Sequence, residues 1–184
     1  MDPVIEQAIR RECESELTKA DLEQVTSLYL DDEVDGEVWD IEDIDLEDLA
    51  KLPKLIELGL HPKITDAGLK EVAKLQRLTS LCLIGCEQIP DACLKEVAKL
   101  EKLEKLYLDN TKVTDTGLKE LAKLKKLTEL GLSNTKTTGA GFKDAKLKQL
   151  TSLHLDNTKV SDTGLMEVAK LEKLEGLYLS LIHI

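Results

Sequence analysis

The feature that most constrains this chain is a repeat. The pattern Leu-x-x-Leu-x-Leu, with valine once in first place, occurs seven times: VTSLYL from Val25, LIELGL from Leu55, LTSLCL from Leu78, LEKLYL from Leu103, LTELGL from Leu127, LTSLHL from Leu150 and LEGLYL from Leu174. Start-to-start intervals are 30, 23, 25, 24, 23 and 24 residues. A fixed period of this length signals stacked coils, because one unit cannot bury its own apolar face but its neighbours can extend a continuous core. Of the 184 residues, 42% are hydrophobic and only 3% aromatic, so that core is aliphatic and mostly leucine.

Each half of the unit has its own physics. The last leucines of the pattern alternate with a period of two and predict a short strand with one apolar face. Between strands a second block recurs, TDAGLKEVAKL from Thr65, TDTGLKELAKL from Thr114 and SDTGLMEVAKL from Ser161. Thr114–Asp115 and Ser161–Asp162 read as helix N-caps, whose side-chain oxygens accept exposed backbone N–H groups. Leu118, Leu121, Ala122 and Lys125, with Leu124, then predict an amphipathic helix of about three turns.

In these residues the chain resembles the leucine-rich repeat family, in its 23–25-residue helical type related to ribonuclease-inhibitor-like and cysteine-containing repeats; the resemblance covers about Val25 to Leu179. It implies an α/β solenoid, a horseshoe with a parallel concave sheet and convex helices. It also implies that the ninth repeat position, here Cys86, Thr111, Thr135 and Thr158, bonds backbone in the turn after each strand. Residues 1–24 resemble the N-terminal cap of bacterial internalin-like proteins, with a helix over about Pro3–Arg11. The expected organisation is therefore a cap over 1–24, then six full units and the strand of a seventh over 25–179, interrupted by an acidic insertion at about 31–48. Two departures stand out. Thr138–Gly139 replaces the Thr–Asp cap before GFKDAKLKQL, which predicts the weakest helix there. Ser180–Ile184 has no polar closing turn and looks like translated adapter sequence, so a truncated reading frame is expected at 180–184.

Non-leucine strand residues face away from the spine, and function is expected among them. Counting the first leucine as position one, position five holds Tyr29, Cys82, Tyr107, His154 and Tyr178, which includes all three tyrosines of the chain. Position seven holds Asp31, Asp109 and Asp156, and position three holds Glu57, Lys105 and Glu129. Tyrosine is enriched at binding hot spots, although Tyr, His and Ser also suit a solvated strand face. The expected function is a non-catalytic protein-protein interaction module binding a protein or peptide on the concave face. Two alternatives are a substrate-receptor-like domain of a ubiquitin ligase, because Gly85–Cys86 resembles the cysteine-containing repeats of F-box proteins, and the docking arm of a larger enzyme. An F-box itself is absent, since residues 1–24 read as a cap.

Charge narrows the partner. The net charge is −11, and the first 50 residues hold 18 of the 36 acids but 3 of the 25 bases. This argues against nucleic acid, which demands a basic stripe. A regular row, Lys63, Lys112, Lys136 and Lys159, marks one rim and is read as solvating, with steering of an acidic partner as the functional reading. Within the acidic insertion, Asp31, Glu33, Asp35 and Glu42 approximate an EF-hand-type calcium loop, but a strand rather than a helix precedes it, and a solvated acidic loop is the simpler reading. Repeat phase sends Cys82, Cys86 and Cys93 to three different places, against a zinc site, and no catalytic triad or glycine-rich phosphate loop is evident. No metal or cofactor is expected. No apolar run reaches a membrane-spanning length and no signal peptide opens the chain. If Met1 is the true start the expected compartment is cytoplasmic; if the front is missing, the bacterial resemblance implies export.

Overall fold

The computed structural model describes residues 1, 3–10, 18–30, 46–60 and 63–180. Seven three-residue strands, β1 (Ser27–Tyr29), β2 (Glu57–Gly59), β3 (Ser80–Cys82), β4 (Lys105–Tyr107), β5 (Glu129–Gly131), β6 (Ser152–His154) and β7 (Gly176–Tyr178), pair in parallel in chain order to form one open sheet. Their middle leucines fall in a single row: Leu28, Leu58, Leu81, Leu106, Leu130, Leu153 and Leu177 are partners in register. Side chains alternate along a strand, so the residues flanking each of these leucines must point to the opposite face. The leucines at positions one and six, such as Leu103, Leu108, Leu127 and Leu132, close the interior behind the row. The spine is sealed as far as β6, where Leu153 is fully buried, and opens at β7, where Leu177 is 43% exposed.

Helical segments return each coil. At the amino end α1 (Pro3–Arg10) buries Ile5 and Ile9 and packs on β1, and α2 (Lys19–Leu22) begins with a reciprocal Thr18–Asp21 capping box. A 3₁₀ turn over Leu46–Lys51 brings the chain to β2. Then follow α3 (Asp66–Val72), α4 (Leu94–Val97), α5 (Asp115–Leu118), α6 (Phe142–Ala145) and α7 (Asp162–Val168). Thr65, Thr114 and Ser161 cap α3, α5 and α7, accepting from Gly68 N, Thr116 N and Gly164 N.

These returns are shorter than the three turns that the periodicity suggested. Helix α5 lasts one turn and passes into a 3₁₀ segment, Lys119–Lys123. The reason lies in the leucine spacing. Leu118, Leu121 and Leu124 are three apart and all buried, and a helix of three residues per turn keeps all three on the inner face. Ala122 is only half-buried and Lys125 is exposed.

The ninth-position threonines behave alike. Thr111, Thr135 and Thr158 are buried, and each Oγ1 donates to the carbonyl three residues back, at 2.6 Å from Leu108, Leu132 and Leu155 respectively. Cys86 occupies the same place with a weaker bond, Sγ to Leu60 O at 3.8 Å. The residue before each of these, Gly85, Asn110, Asn134 or Asn157, takes a left-handed backbone, with φ of 75°, 58°, 57° and 55°. Asparagine and glycine tolerate that conformation best.

A second set of bonds crosses between coils. Asp91 accepts from Thr114 N at 2.7 Å and from Thr114 Oγ1 at 2.5 Å, and Asp115 accepts from Thr138 N, Thr138 Oγ1 and Gly141 N. Asp66 accepts from the Cys93 thiol. The aspartate at a helix entry, Asp66, Asp91 or Asp115, thus serves the coil that follows, while Thr65 and Thr114 serve their own helices. Helix α6 has no side-chain cap at Gly141 and is held instead by Asp115; it ends after one turn at left-handed Lys146.

Candidate functional site

The face of the sheet opposite the leucine row carries the residues that repeat phase singled out. Tyr29, Glu57, Cys82, Lys105, Tyr107, Glu129, His154 and Tyr178 all lie in strands, and Asp109 and Asp156 lie just past β4 and β6. Asp31 and the rest of the candidate calcium loop, Glu33, Asp35 and Glu42, lie outside the described residues, as does His61. Tyr29 and Tyr178 are exposed, whereas Cys82, Tyr107 and His154 are half-buried.

These side chains are tied to one another across strands. Tyr107 OH donates to Glu129 Oε2 at 2.7 Å, and Lys105 Nζ pairs with Glu129 Oε1 at 2.9 Å. The arrangement recurs at the amino end, where Tyr29 OH and Ser27 Oγ both donate to Glu57 Oε2 at 3.1 Å. In each case a glycine stands beside the tyrosine on the next strand, Gly131 beside Tyr107 and Gly59 beside Tyr29. A Cβ on Gly131 would overlap the Asp109 carboxylate and press on the Tyr107 ring, so glycine makes room for both. At β6 and β7 the lock is a stack: the His154 and Tyr178 rings lie 4.3 Å apart and 12° from parallel, and Ser152 Oγ is 3.4 Å from His154 Nε2. The turn row is fixed as well, since Asp109 accepts from Ser133 N and Asp156 from Ser180 N and Oγ, all at 2.8 Å.

Electrostatics follow from these bonds. Hydrogen bonds from Lys105 and then Tyr107 hold the Glu129 carboxyl below its ordinary value, against the opposing effect of burial. The Tyr107 phenol moves up, through burial first and the adjacent Glu129 second, so it acts as a donor. Ser180 lowers Asp156. A depressed carboxylate contributes stability that is present above its unfolded pKa and is lost as pH falls through the folded one. Acid titration of stability should therefore show a decline beginning near the ordinary glutamate value of 4.5 and continuing below it. Glu129→Gln should flatten that limb, measured by urea denaturation from pH 7 to pH 3; an unchanged limb contradicts the clasp.

Sequence reasoning missed two things here. One is the exposure of Ile84: repeat phase puts it at position seven beside Cys82, but only the structure shows 44% of this aliphatic side chain exposed on the rim of this face. The other is the pairing of Tyr29 and Tyr107 each with a Glu-Leu-Gly on the next strand, a signal visible in LYL followed by ELGL. The cysteines are as dispersed as repeat phase implied: Cys82 on the strand face, Cys86 buried in a turn, and Cys93 at the entry to α4, where burial pushes its thiol up to about 11. Among the described residues no group of three or more His, Cys, Asp or Glu could hold a metal ion, and no helix is long and apolar enough to cross a membrane.

The family model for the leucine-rich repeat matches residues 99–122 and 147–169, two coils of the stack. Over those coils the chain is similar to the leucine-rich repeat family, and its fold is a leucine-rich repeat solenoid. Solved structures agree on the solenoid. An internalin of Listeria monocytogenes aligns with all of this leucine-rich repeat chain at 24% identity and a TM-score of 0.66, and the chain spans 52% of that internalin's length. A leucine-rich repeat protein of Leptospira interrogans aligns over 85% of the chain and 38% of its own length, at 26% identity and a TM-score of 0.54. TLR13, solved in complex with ssRNA13, aligns over 91% of the chain and 24% of its own length, at 23% identity and a TM-score of 0.64. The fold alone thus does not exclude a nucleic-acid ligand. No curated protein sequence matches the leucine-rich repeat chain closely enough to count as a relative.

Proposed function

We propose that this leucine-rich repeat solenoid is a non-catalytic module that binds a protein or peptide partner on its strand face. The supporting observation is that the aromatic side chains of this face are already fixed. Tyr107 is held by Glu129, Tyr29 by Glu57, and His154 by Tyr178. Each rotamer-rich side chain immobilised on docking costs about 0.5–1.5 kcal/mol, and side chains fixed beforehand avoid most of that. Seven strands about 4.8 Å apart spread the face over roughly 29 Å, enough for one extended segment or loop of a partner. The contacting set is Tyr29, Glu57, Cys82, Lys105, Tyr107, Asp109, Glu129, His154, Asp156 and Tyr178, joined by exposed Ile84. Asp31 belongs to the same set by repeat phase. Glu57, Asp109, Glu129 and Asp156 outnumber Lys105, an arrangement that repels a phosphate backbone and favours a partner rich in basic and donor groups.

A photocrosslinking amino acid placed at Tyr107, with a second placement at exposed Lys123 on the helical side as control, tests this in a lysate of the source cells. The expected result is a discrete protein adduct at position 107 that is absent at 123. Equal labelling at both positions, or nucleic acid as the adduct at 107, would overturn the assignment.

A further inference from the structure

One coil departs from the others on the helical side, and the departure opens a cleft. Helix α6 is a single turn that, unlike α4 and α5, no 3₁₀ segment extends, and its coil carries Phe142 where the other coils carry leucine in the same block, as at Leu118 and Leu165. The chain leaves α6 through left-handed Lys146, whose φ is 50°. Between this short return and α7 lies a cleft of about 210 Å³, with buried Phe142 and half-buried Leu171 as its apolar lining. That is smaller than the ~300–1,000 Å³ of typical small-molecule sites, and suits one side chain of a peptide better than a cofactor.

The rim is basic. Lys143, Lys146, Lys148 and Lys170 face Glu167 and Glu172. Lys170 is committed to Glu167 at 2.7 Å, whereas Lys143, Lys146 and Lys148 are exposed and have no ion-pair partner among the described residues. Three uncommitted ammonium groups around an apolar floor stand out in a chain of net charge −11. They are matched by carboxylates that flank an apolar side chain. Phe142 is only 3% exposed and offers no stacking platform for a base, and the neighbouring Glu167 and Glu172 interrupt any path for a phosphate backbone.

We propose that this cleft docks an acidic peptide segment of a partner protein, with one aliphatic side chain seated against half-buried Leu171 and its flanking carboxylates held by Lys143, Lys146 and Lys148. The site is separate from the strand face and does not depend on the function proposed there.

The probe is a fluorescein-labelled peptide, Asp-Glu-Leu-Asp-Glu, titrated by anisotropy against the full chain at low salt. K143E/K148E changes two exposed, unpaired side chains, so circular dichroism should be unaltered while affinity falls by about tenfold or more, through lost attraction and added repulsion. Replacing the peptide's leucine with serine should also weaken binding, and the amidated peptide Asn-Gln-Leu-Asn-Gln should not bind. A strand-face variant, Y107A/H154A, should bind the acidic peptide like the wild type. Equal affinity of wild type and K143E/K148E would overturn the proposal. So would tighter, lysine-dependent binding of a single-stranded RNA 12-mer, or self-association of the chain that K143E/K148E abolishes, which would put a second copy in the cleft.

Discussion

Truncating Leu106 to alanine is expected to destabilise the protein by about 2–5 kcal/mol, the range for a fully buried leucine whose removal leaves a cavity. Leu106 is completely buried and is in register with Leu81 on one side and Leu130 on the other. In a linear stack each coil touches only its neighbours, so a hole in the middle of the spine weakens two interfaces at once. The same truncation at the exposed end should be far milder. Leu177 stands in the same row, but with 43% of its surface exposed it has much less burial to lose. We expect Leu177→Ala to cost less than about 1.5 kcal/mol, below the value for a fully buried side chain. Urea denaturation of both variants decides the matter, and similar losses for the two would mean that the leucine row is not the common support of the coils.

Gly164→Ala should be the second severe change, although alanine in a helix is ordinarily worth about 1 kcal/mol over glycine. Gly164 lies in α7, where its backbone meets Thr138 and Gly139 of the preceding coil. A Cβ there would collide with the Thr138 carbonyl oxygen and sit 3.0 Å from Gly139 Cα. Both obstacles are backbone, so relief requires the coils to move apart. We expect a net loss of about 1–3 kcal/mol, the cost of overpacking, measured by thermal and urea melts. Gly68 provides the comparison. It occupies the corresponding place in α3, but its Cβ would meet the flexible ends of Ile64 and Leu46. Gly68→Ala should therefore stay within about 1 kcal/mol of the wild type, with the helix-propensity gain offsetting the adjustment. If Gly164→Ala were as benign as Gly68→Ala, the close backbone approach between the last coils would be wrong.

The spine was readable before any coordinates because its signal is local. Strand geometry alone puts Leu106 and Leu108 of Leu-x-x-Leu-x-Leu on one side of β4, Leu103 closes the interior from the segment before the strand, and the row forms once like coils stack. The N-caps at Thr114 and Ser161 were legible for the same reason, since capping donor and acceptor lie two or three residues apart. The length of the helices was not. Three turns fit the apolar pattern around Leu118, but the spacing Leu118, Leu121, Leu124 also fits a tighter 3₁₀ turn, which ends at Lys123 before β5 begins. The role of Asp115 was hidden too, because its partners Thr138 and Gly141 lie one coil further on. The Tyr–Glu clasps fall between these extremes. Repeat phase places Tyr107 and Glu129 on the same face, yet their bond depends on Gly131 leaving room, a fact that belongs to the packing of neighbouring strands.

The central claim is that the spine carries stability while the opposite face is held ready for a partner. It is tested most directly by replacing Tyr29, Tyr107, His154 and Tyr178 together with alanine, then measuring both the melting temperature and affinity for the protein crosslinked at position 107. The account predicts a cooperative melt close to that of the wild type and a loss of affinity of at least about a hundredfold, as when hot-spot side chains worth ~2 kcal/mol or more are removed. Retained affinity in a folded variant, or collapse of the fold with these four outward-facing side chains, would contradict it.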